Sequence, residues 1–154
     1  MSNKSSVTEE LGTLGALLRA PFDALQEFVY RDLGRAGHRD VRPAHSAVLR
    51  NIAREGSRVT EMAERAGMTK QSMAELIEHL RARGYIELAP DPSDGRAKLA
   101  RLTARGWNLH GTLVRRSREF ENECARRIGE AEWRRFRALL QRVAHWSVTR
   151  SRSG

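Results

Sequence analysis

The sequence predicts a mainly helical fold carrying one small β-hairpin, and three observations lead there. Apolar residues recur every three or four positions through most of the chain, the spacing of one helical face. The stretch from Thr60 to Gly84 reads as a short helix, a tight turn and a longer helix. Directly after Gly84 the period shortens to two, on either side of a run of turn-forming residues.

A chain of 154 residues suits one domain with a real core, and 40% hydrophobic against 31% charged residues suits a soluble, folded chain. No apolar run approaches a membrane span, and the opening MSNKSSVTEE lacks the basic-then-apolar order of a signal peptide. A single cysteine, Cys124, excludes an internal disulfide and fits a reducing cytoplasm. The net charge of +9, from 28 basic and 19 acidic side chains, favours a polyanionic partner. Residues 101–154 carry 13 basic and 5 acidic groups, whereas residues 1–100 carry 15 and 14. The excess is nearly all arginine, since only Lys4, Lys70 and Lys98 are lysine. Charge alone is therefore weak support for nucleic acid.

Residues 1–8 are polar and expected to be flexible. From Leu11 the positions Leu14, Leu18, Phe22, Leu25, Val29 and Leu33 continue a seam like that of a coiled coil, long enough that part of it is expected to form a dimer surface. Pro21 should kink or split this helix, because it lacks an amide donor and crowds the preceding turn. Gly34 to Arg42 reads as a loop. Pro43 suits a first helical position, and Ala44, Ala47, Val48 and Ile52 continue a helix up to Gly56. Ser57 to Val59 leaves room for no more than a short edge strand.

Thr60 and Thr69 are each placed to cap the helix that follows, and Gly67 permits the sharp turn between them. In the second helix Met73, Leu76, Ile77 and Leu80 form one apolar stripe, leaving Gln71, Ser72, Glu75, Glu78 and His79 on exposed or flanking faces. This pattern describes a helix-turn-helix, although an ordinary helical hairpin shares it. Beyond Gly84, Tyr85–Leu88 and Lys98–Leu102 read as two strands separated by turn formers from Ala89 to Gly95. A hairpin after a reading helix is a wing, with Arg96 and Lys98 just past its turn and Arg96 suited to a minor groove. Thr103 caps a further helix bearing Leu109, Leu113, Phe120, Cys124 and Ile128 on one face. A last helix, opened by Glu130 and Glu132, carries Trp133, Phe136, Leu140, Val143 and Trp146.

This order of elements resembles the MarR (multiple antibiotic resistance regulator) family of winged helix-turn-helix repressors, over roughly residues 11–142. The best-matched pieces are Met62-Ala63-Glu64-Arg65-Ala66-Gly67, Leu80 through Gly84-Tyr85-Ile86, Asp94-Gly95-Arg96 and Leu102-Thr103-Ala104-Arg105-Gly106. The resemblance implies a homodimer held by the first and the last two helices, binding a pseudo-palindromic operator in double-stranded DNA. On that basis residues 9–42 form an N-terminal dimerisation helix and loop, 43–102 the DNA-binding region, 103–149 the C-terminal dimerisation helices and 150–154 a flexible tail. By position, Thr60, Thr69, Lys70, Gln71, Ser72, Glu75, His79, Arg96 and Lys98 are the expected DNA contacts. Glu75 has two readings, an acceptor for a cytosine amino group or an intrahelical partner of His79. Asp94 is expected to order the wing rather than touch DNA. The resemblance also implies a small aromatic or anionic effector, for which Phe22, Tyr30, His45 and Trp107 are the positional candidates.

No catalytic constellation emerges, so no enzyme, cofactor or metal site is expected. The histidines His38, His45, His79, His110 and His145 are scattered without a ligating pair. Peroxide-sensing relatives carry their cysteine in the first helix, and Cys124 lies elsewhere, at an apolar helical position that suits inert core. Two alternatives to a specific regulator remain at this level: a non-specific architectural DNA binder, and a helical module that binds an acidic protein or RNA.

Overall fold

A computed structural model describes residues 12–151, with side chains through residue 147, so Leu11, the N-terminal residues 1–8 and the tail beyond 151 lie outside it. Six α-helices and a two-stranded antiparallel sheet are present among the described residues. They are α1 (Leu14–Arg31), α2 (Ser46–Asn51), α3 (Val59–Ala66), α4 (Lys70–Ala82), β1 (Ile86–Asp91), β2 (Asp94–Leu102), α5 (Ala104–Ile128) and α6 (Glu130–Ser151). The predicted fold class, mainly helical with a hairpin wing, is the one observed. No helix among the described residues is long and apolar enough to cross a membrane. The chain forms two compact units that divide between Arg116 and Ser117, inside α5.

In the first unit, Thr13 caps α1 by accepting from the Ala16 amide at 3.4 Å. Pro21 does not split α1. Pro21 and Leu17 are both exposed, so the Leu17 carbonyl that loses its amide partner faces water rather than core. The seam changes character along its length. Leu14, Leu18 and Phe22 are 65%, 42% and 42% exposed, whereas Val29 and Leu33 are buried in the unit's own core.

The second predicted helix is shorter than expected. Pro43–His45 is a single 3₁₀ turn, α2 follows, and Ile52 is already extended. The chain then straightens so that Ser57 can pair with β2: its amide donates to the Ala100 carbonyl at 3.0 Å and its carbonyl accepts from the Ala100 amide at 2.9 Å. The edge pairing anticipated at Ser57–Val59 is this one bridge. Because α3 starts as soon as the bridge ends, its cap is Arg58, and Thr60 sits inside the first turn rather than capping it. Gly67 ends α3 in the left-handed region at φ 63°, and Thr69 caps α4 by accepting from the Ser72 amide at 3.1 Å.

The stripe on α4 does what its spacing predicts. Met73, Ile77 and Leu80 are buried with Val48, Leu49, Met62 and Ala63, and Leu76 packs at the margin. A second anchor lies on the flank of α4. His79 Nε2 donates to the Asp40 carbonyl at 3.0 Å, and its ring stacks on buried His45 at 4.4 Å. His45 Nδ1 accepts from the Arg42 amide at 2.9 Å and so is unprotonated at that atom.

One junction joins the reading helix to everything after it. The Tyr85 amide donates to the Leu80 carbonyl at 3.0 Å, and the Tyr85 carbonyl accepts from the Thr103 amide at 3.1 Å. The Tyr85 ring is fully buried, and its hydroxyl meets His38 Nδ1 and an Arg105 guanidinium nitrogen, each at 3.1 Å. Asn108 Oδ1, an acceptor, takes the proton on His38 Nε2 at 3.1 Å, so Nδ1 accepts from the Tyr85 hydroxyl. Thr103 caps α5 by accepting from the Gly106 amide at 3.1 Å. Gly106 is required by contact: a Cβ there would run into the Tyr85 carbonyl oxygen and lie 3.1 Å from Leu102 Cδ2.

In the second unit Gly129, at φ 109°, separates α5 from α6. The helix continues through Ser151, so residues 150 and 151 are helical rather than tail. Phe136, Leu140, Val143 and Trp146 on α6 are 37–58% exposed, as is Ile128 at the end of α5.

Two outcomes follow for stability. Gly106→Ala should destabilise by roughly 1–3 kcal/mol by overpacking, although alanine is the better helix former, and urea denaturation checks it. Burial, with His79, Arg83 and Arg42 adding positive charge, lowers the His45 pKa to about 4. Between the unfolded value near 6.5 and about 4, the unfolded chain takes up the proton first. His45 should therefore stabilise fully above pH ~6.5 and lose on the order of 2–3 kcal/mol as the pH falls to 4. Denaturation midpoints across that range should fall less steeply in His45→Gln than in the natural chain; parallel curves would contradict the assignment.

Candidate nucleic-acid interface

With its apolar stripe buried, α4 presents the opposite side of its first turns to solvent. Lys70, Gln71 and Glu75 are exposed, and Ser72 is half-buried. The Thr69 hydroxyl, already accepting from the Ser72 amide, donates to Ser72 Oγ at 2.9 Å, which leaves the Ser72 hydroxyl proton directed elsewhere. The free amides and positive end of the α4 dipole lie at this same terminus, beside the Lys70 ammonium, and suit a phosphate oxygen. Gln71 Nε2 donates to Glu75 Oε1 at 3.2 Å. Neither reading of Glu75 anticipated that partner. The proposed Glu75–His79 pair is not formed, because His79 is engaged with Asp40 and His45 one face away. His79 thus sits in the support of α4, while Lys70, Gln71, Ser72 and Glu75 share its outward turns. Thr60 is exposed on α3.

The wing is longer and tighter than its sequence suggested. Its strands reach Asp91 and start again at Asp94, so only Pro92 and Ser93 form the tip. Asp91 is the reason. Its Oδ1 accepts from the Ser93 amide at 2.8 Å and the Ser93 hydroxyl at 2.7 Å, and its Oδ2 accepts from Arg58 Nε at 2.6 Å. The Ser93 hydrogen bonds, reinforced by Arg58, hold the Asp91 carboxyl down at a pKa of about 2. Arg58 also lies 3.7 Å from Asp94, which accepts from the Arg96 amide at 3.1 Å. Asp94 therefore orders the wing, as expected. The strands pair in register from Ile86↔Leu102 to Pro90↔Lys98 and then slip to Asp91↔Asp94, so Gly95, Arg96 and Ala97 bulge from the ladder. Arg96 and Lys98 are both exposed there.

Arg58 and Asp91 are functional supports that sequence reasoning missed. Asp91-Pro92-Ser93 carries a local turn signal, but nothing local links it to an arginine on the far side of the reading helix. The four effector candidates have different surroundings. Phe22 is exposed; burial raises the Tyr30 pKa; His45 faces His79; Trp107 meets Arg54 at 5.5 Å and His110 at 5.7 Å. Burial, together with Glu123 and Glu121, raises the Cys124 pKa and disfavours a reactive thiolate.

Comparison with known proteins matches this geometry. A model of the MarR family matches residues 39–97, the span from the loop before α2 to the wing. The transcriptional regulator HosA of Escherichia coli O111:H- is 26% identical over 131 residues, covering 83% of this chain and 97% of HosA. A crystal structure of MarR superposes with a TM-score of 0.79 at 24% identity, covering 100% of this chain and 99% of that one. A MarR family transcriptional regulator from Rhodococcus sp. RHA1 does so with a TM-score of 0.66 at 22% identity, over 92% and 98% of the two chains. The structural likenesses establish the fold, and the family match over residues 39–97 together with HosA supports reading the chain as similar to the transcriptional regulators of the MarR family, which are not enzymes.

Proposed function

We propose that the protein acts in the cytoplasm as a homodimeric, sequence-specific repressor whose two α4 helices enter successive major grooves of a pseudo-palindromic operator. The observation that carries this reading is the polar start of α4, capped by Thr69 and held outward by a buried stripe. Lys70, Ser72, Thr69 and Thr60 serve phosphates, Gln71 and Glu75 face base edges, and His79 acts from the flank of the helix. Arg96 takes the minor groove and Lys98 the adjoining backbone. Dimerisation is supported by the exposed leucines at the start of α1 and by the exposed apolar face of α6. A small aromatic or anionic effector, taken near Phe22, Tyr30, His45 and Trp107, would release DNA by favouring a dimer geometry whose α4 spacing no longer fits the groove repeat.

Selection from random duplexes, followed by salt titration of the winners, tests this reading. A pseudo-palindrome with half-sites about one helical turn apart is expected. Arg96→Ala should weaken binding roughly tenfold and lower the salt slope by about one. Gln71→Ala should relax preference at one position per half-site, by about 1–3 kcal/mol, with phosphate contacts intact. Binding that collapses with salt and enriches no sequence would indicate an architectural binder; no saturable duplex binding would indicate a protein or RNA module.

A further inference from the structure

Gln71 and Glu75 are bonded to one another on the outward side of α4, and the bond fixes which atoms remain for DNA. A carboxylate only accepts, so the group that Gln71 turns toward Glu75 is its amino end, Nε2, at 3.2 Å from Oε1. The reverse amide orientation would set two acceptors against each other. What this bond leaves unused is Gln71 Oε1 and Glu75 Oε2, two acceptors on an exposed face. Lys70, at the same end of the helix, is a donor for phosphate or guanine and does not alter that pair.

Resting on the regulator reading above, we infer that the Gln71–Glu75 pair is an acceptor-only reader that selects amino-bearing bases, cytosine first, at two adjacent steps on one strand of each half-site. In the major groove cytosine offers its N4 amino group and adenine its N6 amino group, whereas guanine offers N7 and O6 and thymine O4, all acceptors. Two acceptors held next to each other match two amino groups one base step, about 3.4 Å, apart on a strand. They are repelled by guanine or thymine at the same places. Cytosine ranks above adenine at the Gln71 step for a specific reason. Glutamine's bidentate grip on adenine needs its amino end on N7 and its carbonyl on N6. Here the amino end is occupied by Glu75, so adenine N7 would go unmatched, while cytosine presents no acceptor there. The same pairing accounts for a carboxylate on a face that meets DNA, because Glu75 gains a base-edge donor in place of a nearby phosphate.

The test uses the full-length chain and parallel duplex selections with the natural protein and with Gln71→Ala, Glu75→Ala and Glu75→Gln. All three changes are at exposed positions, and thermal melts confirm equal folding. The two relevant steps are those whose preference relaxes in the alanine variants. In the natural protein they should be adjacent and carry cytosine or adenine on one strand, with cytosine leading at the Gln71 step. Changing either cytosine to thymine, or to a pyrimidinone lacking the amino group, should weaken binding roughly tenfold or more. Glu75→Gln can offer its carbonyl or its amino group, which frees Gln71 Nε2, so preference at the Gln71 step should move toward adenine. Guanine or thymine at these steps, or adenine at the Gln71 step in both the natural protein and Glu75→Gln, overturns the inference while leaving the regulator reading intact. An enriched palindrome that no Gln71 or Glu75 variant alters does the same. Absence of any enriched motif overturns both together.

Discussion

The end of α4, the root of the wing and the start of α5 meet at Tyr85. Its amide closes the end of α4, its carbonyl receives the start of α5, and its buried hydroxyl links the loop after α1, through His38, to Arg105 on α5. The close approach is possible only because Gly106 has no side chain. A helix, a hairpin root and a second helix thereby share one residue's backbone. Rotating α4 would strain these hydrogen bonds, of which the Tyr85–His38 bond is buried and so costs more to lose than it would in water.

Around that junction the unit holds α4 and the wing, the two elements proposed to face DNA, by different means. Packing holds α4: a stripe of Met73, Ile77 and Leu80 against α2 and α3, with the His79–His45 stack fixing its flank. Polar bonds hold the wing, with the Ser57–Ala100 bridge at its root and the Arg58–Asp91–Ser93 cluster at its tip. Each set includes a restraint on or beside α3: Met62 and Ala63 under the α4 stripe, and Ser57 and Arg58 against the wing. The helix that precedes α4 therefore supports both α4 and the wing, the two elements proposed to take the major and minor grooves.

Much of this was legible in the sequence because it depends on local chemistry. The α4 stripe, the Thr69 and Thr103 caps, the Gly67 turn and the hairpin are each specified within a few residues. The stretch Leu102-Thr103-Ala104-Arg105-Gly106 is legible as a pattern, while the cause of its glycine, the carbonyl of Tyr85 against Gly106, is a tertiary contact. The failures are also tertiary. Thr60 looked like a cap, but Ser57 pairing with Ala100 moves the helix start to Val59 and the cap to Arg58. The spacing after Pro43 predicts a helix up to Gly56, whereas the chain straightens at Ile52 to reach β2. Asp91 was hidden among turn formers because its arginine partner is distant in sequence. The partner of Glu75 was missed because two i, i+4 choices were open, and His79 was claimed by the loop after α1. The effector positions rest on the family resemblance; no local chemistry in the sequence specifies them.

The most direct test of the central claim is chemical footprinting of the full-length protein on its selected duplex, probing major and minor grooves separately. The account predicts two patches of major-groove protection about one helical turn apart, flanked by minor-groove protection that disappears in Arg96→Ala. Uniform protection along the duplex, or protection unchanged by Arg96→Ala and Gln71→Ala, would contradict it.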